Sequence, residues 1–299
     1  MQLSEVRKEL QFNTELLILV DTLKNIAGAQ YQLMEREKKK RFDRFMQSFS
    51  GFFRVVHLTD VEDPLVRPAG DVLGIVLVTS DAGFMGGLNG SVIETALARQ
   101  IDLPPDKVRF IVVGEKGANA FRDVGRPYHF FPGVTNETRY ERAVDVREYI
   151  VREVLERRIG RVIVVYPKPL SFTRQVLEVT NLLPAADLFE PTESHETTEE
   201  PGVLGGRRVI VESSFSDMMH YLVSVWVTSK LFEIFEDSKL SEFAARAMHL
   251  EGSVQKLQQD NKKLKYRFFR AAHEQVDKGM RESFSSKKLR DAEKKAEKR

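Results

Sequence analysis

The last third of the chain carries an apolar stripe in alternating steps of four and three: Phe243, Ala247, Leu250, Val254, Leu257, Asn261, Leu264, Phe268 and Ala271. An average period of about 3.5 residues keeps one seam of a helix facing a partner over many turns, which is the pattern of a coiled coil. The first residues answer it, because Leu3, Val6, Leu10, Asn13, Leu17 and Val20 also step by three and four. Two long helices at opposite ends, separated by sequence of another kind, predict an antiparallel coiled coil with a globular domain inserted into it. Asn13 and Asn261 occupy seam positions. Facing each other they would fix register at a cost in stability; the alternative is two unrelated, solvated residues.

Composition narrows the function classes. Charged residues make up 30% of the 299, which suits long helices with one narrow buried seam. The hydrophobic share of 42% still permits a core of ordinary size. A net charge of only +2 gives no global field for nucleic acid or for cations. Cysteine is absent, which excludes disulfides, thiolate metal sites and cysteine nucleophiles together. The opening MQLSEVRKEL lacks the apolar core of a signal peptide, and no run approaches the roughly 18 apolar residues of a membrane span. The expectation is a soluble intracellular protein, or a peripheral one held by partners.

From residue 3 to 57 there is no proline, and the only glycines are Gly28 and Gly51, so helix is predicted with a kink or close packing near Gly28. Phe42, Phe45, Phe49, Phe52 and Val56 continue the stripe until Asp63-Pro64 and Arg67-Pro68 end it. Residues 72–80, 109–113 and 161–166 are short β-branched runs of buried-strand type. Helical segments are expected between them at 87–99, 117–124 and 137–159. Strands alternating with helices argue for a parallel, Rossmann-like sheet. Residues 190–205 are acidic and rich in helix breakers, a loop composition, and 207–212 reads as one more strand. Ser216 or Asp217 then caps a terminal helix reaching the Met280 region. At 1.5 Å per residue that helix spans on the order of 100 Å and must project beyond its own domain. The expected division is a coiled-coil helix at 1–60, the α/β domain at 70–212, a second coiled-coil helix at 213–285 and a charged tail at 286–299.

Thr79-Ser80-Asp81-Ala82-Gly83-Phe84-Met85-Gly86-Gly87-Leu88-Asn89 follows a strand and opens a helix, as a phosphate-binding turn would. Its spacing fits neither the dinucleotide fingerprint nor the Walker pattern with its lysine and hydroxyl, so a structural turn is the expectation. The six histidines, His57, His129, His195, His220, His249 and His273, show no metal-ligand spacing. No serine nucleophile elbow is visible. The tail 285–299 is dense in lysine and arginine with interspersed acids; it is a solvated end or a contact for an acidic partner.

The order of elements, together with the turn at 79–89, resembles the gamma subunit of rotary F-type ATP synthases, whose turn is of the Ser/Thr-Asp-Arg-Gly-Leu-Cys-Gly-Gly type. Val113-Gly114-Glu115-Lys116-Gly117 is similar to the family's Gly-x-Lys-Gly turn after the second strand. Leu240-Ser241-Glu242-Phe243-Ala244-Ala245-Arg246-Ala247-Met248 resembles its Ser-Glu-x-Ala-Ala-Arg-Met segment, and Tyr266-x-x-x-Arg270-x-Ala272 its Tyr-Asn-Lys-Ala-Arg-Gln-Ala. The resemblance covers nearly the whole chain. Departures are definite: of the family's basic Ile-Thr-Lys-Ala-Met-Lys-Met-Val-Ala-Ala stretch only Lys24 and the Ile26-Ala27 step survive, Ala82 replaces the turn's arginine, and Ala271 replaces a glutamine. They mark a divergent member, of the kind an alternative ion-translocating complex would carry.

The resemblance implies a noncatalytic central-stalk rotor subunit, with no catalytic, cofactor-binding or metal residue of its own. It implies as partners a head of catalytic and noncatalytic nucleotide-binding subunits, a small epsilon-type stalk subunit and a membrane ion-rotor ring, at the cytoplasmic face of the membrane. Tyr266 and Arg270 are the implied head contacts, and Arg207, Arg208 and Glu212 the implied contacts to the membrane rotor. The alternatives are a coiled-coil scaffold without rotor role and a nucleotide-binding α/β protein that dimerises through its helices.

Overall fold

The computed structural model describes residues 3–56, 63–67, 70–185 and 214–296, with the backbone alone at 39–56, 215, 289 and 291–296. The acidic segment at 190–205, the strand expected at 207–212 and the side chains of the phenylalanine stripe at 42–52 lie outside the described residues. Two compact units divide the chain: residues 27–246, and residues 1–26 with 247–299. Helix α1 (Leu3–Val56) and helix α5 (Phe215–Ala296) each contribute to both.

The larger unit is built on strands β1 (Leu73–Val78), β2 (Val108–Val113), β3 (Tyr128–Phe131), β4 (Arg161–Ser171) and β5 (Arg174–Leu183). They lie in the order β3-β2-β1-β4-β5. The first four are parallel, as expected, and β5 returns antiparallel along β4. Successive side chains of a strand point to opposite faces, so one run of apolar residues feeds two cores. Val76, Val78, Ile111, Val113, Val162 and Val164 enter a core with α4 (Arg139–Leu155) and the start of α5. Ile75, Leu77, Phe110, Val112 and Val165 enter the other, with α2 (Leu88–Ala98) and α3 (Glu115–Arg122). Being buried on both faces is why β1 and β2 are continuously apolar. In the same unit, Tyr31 and Met34 of α1 pack on Leu240, Phe243 and Ala244 of α5.

The smaller unit is the heptad pair. Val6, Ala247, Leu250, Val254 and Leu264 are buried there. The helices run antiparallel: near the start of α1, Asn13 Nδ2 donates to Leu257 O (3.2 Å) and Thr14 Oγ1 to Asn261 Oδ1 (3.4 Å), while further along α1 Lys24 Nζ lies 3.1 Å from Glu251 Oε2, further back on α5. Asn13 and Asn261 thus belong to the same stretch of interface but bond to different neighbours. Burial ends with the seam: from His273 to Lys288 every residue is exposed.

Two local expectations change. A Cβ on Gly28 would meet nothing within 4 Å, and α1 is unbroken through it, so close packing does not explain this glycine. Helix α5 begins at Phe215, and its cap is Ser214 rather than Ser216 or Asp217. Ser214 Oγ accepts the Asp217 N–H (3.1 Å), an N-cap bond, and donates its own hydroxyl proton to the Asp217 carboxylate (2.5 Å).

Candidate functional site

The glycine-rich turn is a joint between elements. Thr79 Oγ1 donates to Val113 O (2.6 Å) at the end of β2. Asn89, in the first turn of α2, donates to Ser80 Oγ (2.9 Å) and accepts the Ser80 N–H (3.3 Å). Asp81 Oδ1 accepts the N–H groups of Glu115 (2.7 Å) and Gly133 (3.0 Å). Glu115 opens α3, so the start of α3 is held by the chain's own Asp81 carboxylate. Gly114 has φ +109, and any side chain on Gly117 would collide with Thr79. Gly114 and Gly117 belong to the 113–117 turn, and they are needed there because Thr79 leaves no room for a side chain: its backbone crowds Gly114 and its side chain crowds Gly117.

Histidines are placed one by one. His220 Nε2 lies 2.7 Å from Asp63 Oδ2. His129 stacks on Tyr149 with ring centroids 4.0 Å apart, and burial lowers its pKa, opposed by Glu153 and aided by Arg152. Among the described residues no group of His, Cys, Asp and Glu is arranged to hold a metal. His57 and His195 lie outside the described residues.

A buried polar cluster on α5 was not anticipated. Glu236, Asp237, Ser238, Ser241 and Glu242 of α5 are all buried. Arg139 Nη1, from the first residue of α4, lies 2.8 Å from Glu236 Oε1, and its guanidinium sits over the Phe232 ring at 5.4 Å. Lys38 of α1 pairs with Asp237. Ser241 Oγ donates to Pro167 O of β4 (3.0 Å). Glu242 pairs with Lys239 (2.9 Å), and Arg246 Nε donates to Gly83 O of the glycine-rich turn (3.2 Å). Burial raises the pKa of Asp237, with Lys38 opposing it, and raises that of Glu242 against Lys239 and Arg246. The available signal was a run of acids and serines crossing an apolar seam.

Of the implied contact residues, Tyr266 is 73% exposed. Arg270, one turn further along α5, is equally open and pairs with Glu274 at 3.1 Å. The two share a face at i, i+4. Arg207, Arg208 and Glu212 lie outside the described residues.

An α/β sheet and a heptad-paired coil that both draw on one 82-residue helix define a class of α/β protein with a coiled-coil extension. The ATP synthase family profile matches residues 2–287, and the chain belongs to that family. It is 28% identical over 201 residues to the ATP synthase gamma chain of Desulforudis audaxviator, covering 65% of this chain and 67% of that one. To the ATP synthase gamma chain of Rhodopirellula baltica it is 27% identical, covering 73% and 74%. Its fold matches a chain of the Euglena gracilis mitochondrial ATP synthase rotor with a TM-score of 0.62 at 18% identity, covering 92% of this chain and 98% of that one. The chain is accordingly a gamma-type, noncatalytic subunit. No helix among the described residues is long and apolar enough to cross a membrane.

Proposed function

We propose that this chain is the rotor shaft of an ATP synthase, coupling ion movement through a membrane ring to ATP synthesis or hydrolysis in a catalytic head. The observation that carries the reading is α5, a single helix that both builds one core of the α/β unit and forms the coiled coil. A torque applied to the α/β unit has a continuous backbone along which to travel. The coiled coil is asymmetric, so each catalytic subunit around it meets a different face and is biased toward a different nucleotide affinity. Rotation permutes those states. Torque and site affinity are then reciprocal expressions of one coupling free energy.

In this reading the chain works at the cytoplasmic face of the membrane, with a small epsilon-type subunit beside it. Tyr266 and Arg270 touch the head; Arg270 offers a two-pronged hydrogen bond to a carboxylate that lysine cannot copy. Arg207, Arg208 and Glu212 meet the ion ring, where exposed ion pairs contribute about 0–1 kcal/mol each and act only in number. Affinity purification from native membranes tests the whole: ATPase head subunits should accompany the chain, and a chain recovered alone as a homo-oligomer would replace the rotor with a scaffold. Reversing Arg207→Glu with Arg208→Glu should release the head from membranes, most readily at raised salt.

A further inference from the structure

We propose that the buried polar side chains between Glu236 and Arg246 form a girdle that fixes the angular setting of α5 within the α/β unit, and so keep the shaft from slipping when torque is applied. The inference rests on the rotor reading and adds the residues that would carry the load.

Its basis is direction. At 3.6 residues per turn, successive side chains diverge by about 100°. Taking Glu236 as origin, Asp237 points about 100° around the helix, Ser241 about 140°, and Arg246 about 280°. Each reaches a different element: Glu236 the Arg139 of α4, Asp237 the Lys38 of α1, Ser241 the Pro167 carbonyl of β4, Arg246 the Gly83 carbonyl of the turn after β1. The helix is held from most of its circumference within a few turns.

Apolar packing alone resists rotation weakly in a specific sense, because a core tolerates one aliphatic side chain in place of another of like volume. A buried charge does not. Turning α5 by one residue would carry Glu236 and Asp237 away from Arg139 and Lys38, and each buried charge would lose a close partner of opposite sign. Arg139 is further fixed by its own bond from Nε to Asn136 O (3.2 Å) and by the Phe232 ring. These are positioning residues. They touch no nucleotide and act through the helix they hold.

The test uses the assembled complex in membrane vesicles. Arg139→Met with Glu236→Leu replaces the ion pair by apolar groups of similar size, a change that commonly preserves folding. ATP hydrolysis should continue at an undiminished rate while ions pumped per ATP fall several-fold, and more steeply against an opposing gradient. An unchanged ratio of pumping to hydrolysis would overturn the girdle. Should the variant fail to assemble, spin labels on the full chain at Tyr140→Cys and Tyr221→Cys, both exposed, report the setting of α5 against α4. The distance distribution should broaden in the double variant, and an unchanged distribution overturns the proposal equally. Failure of the unaltered chain to bring down an ATPase head would instead remove the rotor reading beneath it.

Discussion

Lys24 Nζ lies 3.1 Å from Glu251 Oε2 across the coiled coil and 2.7 Å from Asp21 Oδ1 on its own helix. Lys24 closes the interface of its own two helices. The Lys24 ammonium lowers the pKa of Glu251, with Gln255 assisting, and its two carboxylate partners, Asp21 first, raise that of Lys24.

The consequence for stability has a definite sign. A depressed carboxylate favours the folded form above its ordinary value of 4.5 and loses that contribution as pH falls through the lowered value. A raised lysine favours it below 10.5 and loses it as pH climbs beyond. Glu251→Gln should therefore lower the melting temperature slightly at neutral pH, and the difference from the parent should vanish in strong acid. A difference that persists unchanged in strong acid would assign the effect to packing.

Register is the second prediction. The pairs Lys24–Glu251 and Thr14–Asn261, continued toward the start of α1, bring Leu10 opposite the buried Leu264 rather than Phe268. Leu10→Cys with Leu264→Cys should cross-link within one chain on oxidation, and much faster than Leu10→Cys with Phe268→Cys. Cross-links found only between chains would mean that the two seams serve a dimer.

The glycine-rich turn yields a third. Asp81→Asn replaces an acceptor of two backbone N–H groups by a neutral one and should cost about 1–2 kcal/mol in urea unfolding. Gly117→Ala forces Thr79 aside and should cost about 1–3 kcal/mol. Titration of the unaltered chain with ADP should show only heat of dilution. Saturable ADP binding lost in Asp81→Asn would return the turn to the nucleotide sites.

Strands β1, β2 and β4 were legible because burial on both sheet faces imposes unbroken apolar, β-branched runs. Strand β3 was missed: its four residues, Tyr128, His129, Phe130 and Phe131, are mostly open at a sheet edge, and only the ladder from Phe110↔Tyr128 to Val113↔Phe131 makes them a strand. Strand β5 was missed for a related reason. Polar Gln175, Glu178, Thr180 and Asn181 punctuate it, and its pairing follows from the hairpin with β4. The seams of α1 and α5 were readable from period alone; the second coiled-coil helix was expected to reach 285, whereas burial along α5 ends soon after the stripe's last residue, Ala271. The polar girdle was half readable. Acids in a seam announce an unusual burial, but Arg139 and Lys38 become their partners only once α4 and α1 are folded against α5.

Arg139 supplies the fourth prediction. Arg139→Met alone removes the guanidinium that pairs with the buried Glu236 carboxylate and should cost about 3–5 kcal/mol. The double change with Glu236→Leu should recover most of that loss. A thermodynamic cycle by urea unfolding measures the coupling directly. Simple additivity of the two single effects would show that the pair is not the interaction that fixes α4 to α5.

Arg270 gives the last. Its visible partner is Glu274, at i, i+4 and well exposed, a pairing that contributes only a few tenths of a kcal/mol. Arg270→Ala should therefore leave the thermal unfolding of the isolated chain nearly unchanged. In the proposed complex the same guanidinium meets a head carboxylate in a less hydrated setting, where a charge-assisted, two-pronged bond is stronger. The ratio of ion pumping to ATP hydrolysis should then fall in Arg270→Ala and be only partly restored in Arg270→Lys, because an ammonium keeps the charge but not the planar fork. Tyr266→Ala, on the same face one turn away, should act in the same direction. A complex that pumps normally with both residues removed would place the head contact on another face of α5.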